Sequence, residues 1–266
     1  MKKALMSLAI LLAMCFGYAP AANGQTYSEC LRQMYDSDIM GASAAEVISS
    51  MKGLVGSDID SPLAQQYIKE QMLTDMVELM QPYFEANISE DELKAVFKEY
   101  EKPEVQTASK HIKESLTSVS GDVIEELKTA AMRVIMGEKL QPMTLKEGIS
   151  SDFRAACDNY FKQTDALSGV EIAVENILKS VPDEAMKAKL SVLADYVKES
   201  IPVMFTNACN GRVSMQDLSV MTALSETPAQ KNYNQAIKAW LADALNFGQA
   251  MKGKWEAYKK ANPAEK

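Results

Sequence analysis

One stretch of this chain is written twice. Ile88-Ser89-Glu90-Asp91-Glu92-Leu93 recurs as Val213-Ser214-Met215-Gln216-Asp217-Leu218, and each copy runs without a gap to a proline, Pro103 and Pro228. Ser214 follows Ser89 by 125 residues, and Pro228 follows Pro103 by the same 125. Glu101 and Glu226 also match, and Val96 and Met221 are a conservative pair. A duplicated unit of that length predicts two similar helical repeats in tandem, 25–145 and 146–266, rather than one large domain.

The shared residues explain themselves as helix punctuation. Ser89 can cap a helix by accepting from the Glu92 amide, while the Glu92 carboxylate reaches back to the Ser89 amide, a capping box. Ile88 before the cap and Leu93 after it can form the hydrophobic staple. Glu90 and Asp91 fall in the first turn, where negative charge complements the helix dipole. Val213, Ser214, Asp217 and Leu218 repeat the pattern, with a weaker reciprocal bond expected from the shorter Asp217. Each closing proline disfavours helix in the residue before it and starts a helix well. Thr227 can cap the second of these helices, whereas Lys102 has no capping side chain. Each copy thus predicts a short helix, a sharp corner and a long helix.

These residues carry a family resemblance. Pro82-Tyr83-Phe84, then Ser89-Glu90-Asp91-Glu92-Leu93, then Phe97-Lys98-Glu99-Tyr100-Glu101-Lys102-Pro103 resembles a secreted bacterial domain family of unknown function, the one numbered twenty fifty-nine. That family shows an aromatic in the preceding helix, a Glu-Glu-Leu helix start and a Phe-Tyr-x-Ser-Pro-x-Gly corner. Tyr100 and Pro103 match, while Glu99, Lys102 and Val105 replace the aromatic, the serine and the glycine. In the second copy Thr227-Pro228 is close to Ser-Pro, while Leu224 and Ser225 replace the aromatic pair and Gln230 the glycine. The resemblance implies a helical envelope protein and brings no catalytic residues with it.

The first residues read as a processing signal. Lys2 and Lys3 precede an apolar run from Ala4 to Met14, too short to span a bilayer, and Ala22-Asn23-Gly24 offers small residues for cleavage. Residues 1–24 are therefore expected to be a signal peptide, and the mature chain to be exported to the periplasm or cell envelope. Acylation at Cys15 is the lesser alternative, because Met14 fits poorly before a lipidated cysteine. No later run has membrane-spanning length, so no integral membrane segment is expected. Without Lys2 and Lys3 the chain carries 26 basic against 36 acidic residues. That balance repels nucleic acid and anionic lipid.

Three cysteines remain after the leader, and three cannot all pair internally. Cys157 and Cys209 are the candidate disulfide, leaving Cys30 free, and closing that loop would be worth about 4 kcal/mol in the chain-entropy model. The equal alternative is that all three are small buried apolar residues.

No stretch alternates apolar and polar residues as a strand would, and Leu, Ala, Met, Glu and Lys dominate, so the fold class expected is all-α. Helices are expected near Tyr27–Tyr35 and Ala44–Leu54. Another starts at Ser61-Pro62, with Leu63, Tyr67, Ile68, Met72, Met76, Met80 and Phe84 on one face. Others run from Ser89 to Glu101, from Pro103 to Leu140 with a bend at Ser120-Gly121, and from Pro182 to Ala208. A last helix from Pro228 to Lys260 sends Tyr233, Ile237, Trp240, Leu241 and Leu245 inward. Gln141-Pro142 and Gly148 mark the join, and the tail after Asn262-Pro263 should fray.

Chemistry is harder to find. The lone histidine, His111, lacks companions at metal-ligand spacing and reads as solvated. There is no nucleophile elbow, phosphate loop or His-Glu-x-x-His helix. No cofactor or metal is expected. Fourteen methionines remain after the leader. Met72, Met76 and Met80 form a stripe that reads first as core and second as a pliable peptide-binding face. Cu(I) capture by thioethers would need those sulfurs exposed. The function expected is a non-enzymatic binding or scaffolding module of the bacterial envelope, whose partner is an envelope protein or peptide. The alternatives are a holdase-like chaperone for exported chains and an envelope glycan hydrolase using a carboxylate pair.

Overall fold

The structure, a computed structural model, describes residues 26–36 and 61–262. Among the described residues there is helix and no strand, so the protein is all-α. The helices are α1 Tyr27–Asp36, α2 Pro62–Glu70, α3 Met72–Glu85, α4 Glu90–Tyr100, α5 Pro103–Met136, α6 Ser151–Thr164, α7 Ala166–Ser180, α8 Glu184–Cys209, α9 Met215–Glu226, α10 Pro228–Ala242 and α11 Ala244–Ala261.

Caps set many of these boundaries. The Ser61 hydroxyl accepts from the Ala64 amide at 3.2 Å, with Pro62 opening the helix. Ser150 and Asp183 do the same for Phe153 and Met186, at 3.2 and 2.7 Å. Gly137 ends α5 at φ 80, a left-handed conformation that suits glycine. Asp165, at φ 52, turns the chain between α6 and α7, and aspartate tolerates that conformation better than most residues.

The chain divides into two compact units. One, unit A, comprises residues 99–231 and holds α5 to α9. Here α5 packs against α8 and α9, and α6 packs against both α9 and α8. The core centres on Phe205, with Tyr160 stacked on it at 5.3 Å and Phe161 edge-on at 4.8 Å. Such aromatic pairs are worth about 0.5–1.5 kcal/mol beyond their buried area. The join between the expected repeats is pinned to α8. Lys146 donates its amide to Asn207 Oδ1 at 2.8 Å, and Asn207 Nδ2 donates to the Thr144 carbonyl at 3.1 Å.

The other, unit B, gathers residues 17–98 and 232–266, of which 26–36, 61–98 and 232–262 are described. Helix α3 lies among α1, α2 and α11. Tyr233 on α10 meets Phe84 and Phe97 at 5.8 and 6.4 Å between ring centres. Trp255 and Tyr258 on α11 flank Tyr67 at 5.2 and 5.0 Å.

These units divide the chain differently from the tandem scheme of 25–145 and 146–266. The first motif's short helix α4 starts in unit B, but its long helix α5 packs in unit A against the second motif's α9. Conversely, α9 lies in unit A, while most of α10 lies in unit B with Phe97 of α4 against its Tyr233. Each long helix thus completes the bundle that holds the other motif's short helix. The exchange begins at the proline corners, where Lys102 (φ −64, ψ 132) and Thr227 (φ −65, ψ 143) are both extended.

Other boundaries also differ from expectation. The Tyr67-to-Phe84 face belongs to two helices, kinked at Gln71 (φ −124, ψ −32). Helix α5 runs through Ser120-Gly121 and stops at Met136, because Gly137 terminates it before Leu140. The final helix breaks at Asp243, whose amide bonds to Trp240 three residues back rather than four. Helix α7 was not separately expected. The signal peptide, the Ala44–Leu54 helix and the end of the tail lie outside the described residues.

Candidate functional site

The duplicated motif is built as a pair of capping boxes. Ser89 donates its amide to Glu92 Oε2 at 2.9 Å, and the Glu92 amide returns to the Ser89 hydroxyl at 3.3 Å. Ser214 and Asp217 repeat this at 2.8 and 3.0 Å, so the shorter Asp217 closes its box as fully as Glu92, contrary to expectation. The staple positions are all interior: Ile88, Leu93, Val213 and Leu218 are buried. Pro103 and Pro228 open α5 and α10. The Thr227 hydroxyl accepts from the Gln230 amide at 3.3 Å, and Lys102 makes no side-chain cap.

Each box also has a tie that its sequence did not announce. Glu92 Oε1 accepts from Asn232 Nδ2 on α10 at 2.9 Å within unit B. Asp217 Oδ2 lies 3.0 Å from His111 Nδ1 on α5 within unit A. Because the carboxylate can only accept, Nδ1 carries the proton. The third helical residue of each box therefore holds the long helix that leaves the other motif. His111 is part of this tie and is not simply solvated.

Electrostatics favour both carboxylates in their charged form. The Ser89 amide, then its hydroxyl and Asn232, hold Glu92 below the usual carboxylate range. Burial pushes Asp217 up, but the Ser214 amide, its hydroxyl and His111 outweigh that and leave it lowered.

The candidate peptide-binding stripe is corrected by burial. Met72, Met76 and Met80 are all interior because α3 is flanked by α1, α2 and α11. Their thioethers fill space and offer no open face. Beside them sits a residue that pattern reading missed. Asp75 is buried, accepting from the Tyr67 hydroxyl at 2.8 Å and from Gln71 Nε2 at 3.1 Å. Burial and this bond push the Tyr67 phenol well up. The signal was available in an acid three residues from Met72 and one from Met76, on the apolar side of the helix. Lys254 reaches Glu78 at 2.7 Å and lies 3.8 Å from Asp75, so these two acids tie α11 to α3.

Cys30, Cys157 and Cys209 are buried, and Cys157 and Cys209 are thiols, so the Cys157–Cys209 bridge is not formed in this structure. Burial pushes the Cys157 thiol up to about 11, opposed in part by its hydrogen bond with Thr206. Burial likewise raises Cys209, with Cys157 adding to the effect. Neither thiol is set up as a nucleophile, which needs a lowered pKa.

The exposed methionines lie elsewhere. Met132 and Met136 on α5 are 53% and 66% exposed, and Met186 and Val192 on α8 are 37% and 53% exposed. Tyr196 donates to Glu126 at 2.8 Å, and Lys189 donates to the Ile135 carbonyl at 2.8 Å. These bonds fix an antiparallel register of α5 on α8, bringing Met132 level with Val192 and Met136 level with Met186. All four are individually exposed apolar side chains of unit A. Among the described residues, no three His, Cys, Asp or Glu side chains group as a metal site, and no helix is long and apolar enough to cross a membrane.

No protein-family model, curated protein or solved structure matches the chain.

Proposed function

We propose that the mature chain is a non-enzymatic binding module of the bacterial envelope. In this reading residues 1–24 direct export, the two motif copies descend from a duplicated helical unit, and the partner is an apolar stretch of another envelope polypeptide. The observation that carries it is the exposure of Met132, Met136, Met186 and Val192 on α5 and α8 of unit A. Unbranched thioethers adapt to varied apolar shapes, which is the use methionine serves on pliable binding surfaces. The resemblance of the Ser89–Pro103 stretch to a secreted envelope family points to the same compartment.

The test is site-specific photocrosslinking in cells, with the probe at Met136 and a control probe at the exposed Lys252 of unit B. Adducts at Met136 that are absent at Lys252 and lost in M132E/M186E support the reading. One dominant adduct marks a dedicated adaptor, and many unrelated exported chains mark a holdase. Equal labelling at both sites, or none at Met136, rejects these exposed methionines as a binding surface.

A further inference from the structure

We infer that a second copy of this chain can supply α10 and α11 to unit B, giving an exchanged dimer. In it, residues 26–36 and 61–98 of each protein close around residues 232–262 of the other. The inference is independent of the binding reading above.

Unit B is assembled from the two ends of the chain, with unit A between them in sequence. Several contacts that hold α10 and α11 bridge those ends. Tyr233 meets Phe84 and Phe97, Trp255 meets Tyr67, Asn232 donates to Glu92, and Lys254 pairs with Glu78. Tyr83 donates to Asp243 at 2.5 Å. None of these contacts depends on which molecule provides the second stretch. A second copy offers the same partners in the same geometry.

The chain already makes this kind of exchange within itself, since α5 serves the bundle of α9 and α10 serves the bundle of α4. The lever is the corner at Thr227. Pro228 keeps Thr227 out of the helical region, so α9 and α10 cannot merge into one rod and the chain must turn there. Exchange of an identical element is a low-cost route to a dimer, because the native contacts are kept. Closure within one chain competes at an effective concentration of roughly millimolar. Dilute folding therefore closes unit B internally, and folding near that concentration diverts chains into exchange.

The experiment denatures the full mature chain and refolds it at about 10 μM and about 1 mM, either side of that effective concentration. Mass is read by light scattering after size exclusion. The expected result is monomer at the lower concentration and a species of twice the mass at the higher one, which persists on dilution because reopening requires unit B to unfold. Chains carrying Glu78→Cys or Lys254→Cys are then refolded together and treated with a short bismaleimide. Glu78 is 64% exposed and Lys254 31%, so both positions tolerate cysteine and react. A covalent product of twice the mass must arise from the dimer fraction and not from the monomer. A chain carrying both substitutions must link internally at low concentration, which reports that the variants fold. Monomer alone at both concentrations overturns the inference without any variant. So does a dimer whose mixed chains fail to link.

Discussion

Asp217 and His111 stand 106 residues apart in sequence and meet at 3.0 Å, Oδ2 to Nδ1. The same Oδ2 accepts from the Ser214 amide at 2.8 Å and from its hydroxyl at 2.8 Å. One carboxylate oxygen therefore caps α9 and holds α5 against it. Asp217→Ala should cost about 1–2 kcal/mol, since it removes a cap and a tie whose donors, Ser214 and His111, can turn to water. Ser89→Ala and Ser214→Ala, which remove half a box each, should cost about 1 kcal/mol apiece. Urea midpoints measure all three. A double-mutant cycle of His111→Ala with Asp217→Ala should show coupling, and additive losses would mean that the histidine contributes nothing to the tie.

The same carboxylate predicts an acid response. Its folded-state pKa is lowered, the Ser214 and His111 bonds outweighing burial. A lowered pKa contributes stability that is fully present above the unfolded value, about 4, and is lost as pH falls through the folded value. The stability gap between the protein and its Asp217→Asn variant should therefore be widest near neutrality and shrink below about pH 4. Chemical denaturation at pH 7 and pH 3 reads the gap directly, and a constant gap would contradict the electrostatic assignment.

Tyr83 predicts the opposite limb. Its hydroxyl donates to Asp243, and that bond, with burial, pushes the phenol up to about 12. A raised pKa gives stability that is present below the unfolded value, about 10, and disappears as pH climbs through the folded one. Tyr83→Phe should lose about 1 kcal/mol at neutral pH. Between pH 10 and about 12 the two proteins should converge. Near-ultraviolet absorbance would separately show one late-ionising tyrosine fewer in Tyr83→Phe.

How much of this was legible depended on the range of the interaction. Ser89, Glu92, Ser214, Asp217 and the two prolines act within a few residues of themselves, so their spacing revealed caps and corners that the structure contains. The destination of α5 and α10 was not legible. Nothing local to Pro103 or Pro228 says which bundle the following helix will enter. That is decided by distant partners such as Phe84 for Tyr233 and Asp217 for His111. Met72, Met76 and Met80 show the same limit. Their spacing marked one face, but only the packing of α1, α2 and α11 around α3 decides that the face is closed. The exposure of Met132 and Met186 escaped notice because it is set by how α5 and α8 pack, not by spacing along either helix.

The cysteines offer a direct check on the core. Cys30, Cys157 and Cys209 have no exposed surface, and Cys157 and Cys209 are not bridged. A disulfide-exchange reagent should titrate none of the three in the native mature protein and all three in denaturant, and Cys157 should stay slow below pH of about 11. One thiol instead of three in denaturant would show that Cys157 and Cys209 oxidise in the exported protein, as their sequence positions first suggested.

Cutting the chain at its join separates the exchanged architecture from a tandem one. Residues 138–150 are not helical, and Asn207 holds Thr144 and Lys146 there. A protease site placed between Leu140 and Pro142 would divide the chain into the two expected repeats. If those repeats were self-contained, the fragments would part on size exclusion. In this structure α5 of the first fragment is packed on α8 and α9 of the second, and α11 of the second on α2 and α3 of the first. Neither fragment holds a complete bundle. The cut protein should therefore elute as one species, keep its helical circular dichroism, and come apart only in denaturant. Its urea midpoint should become concentration-dependent, because unfolding now also separates two molecules. Asn207→Ala should leave this association intact while speeding the cut, since it frees the join without touching either bundle's aromatic core.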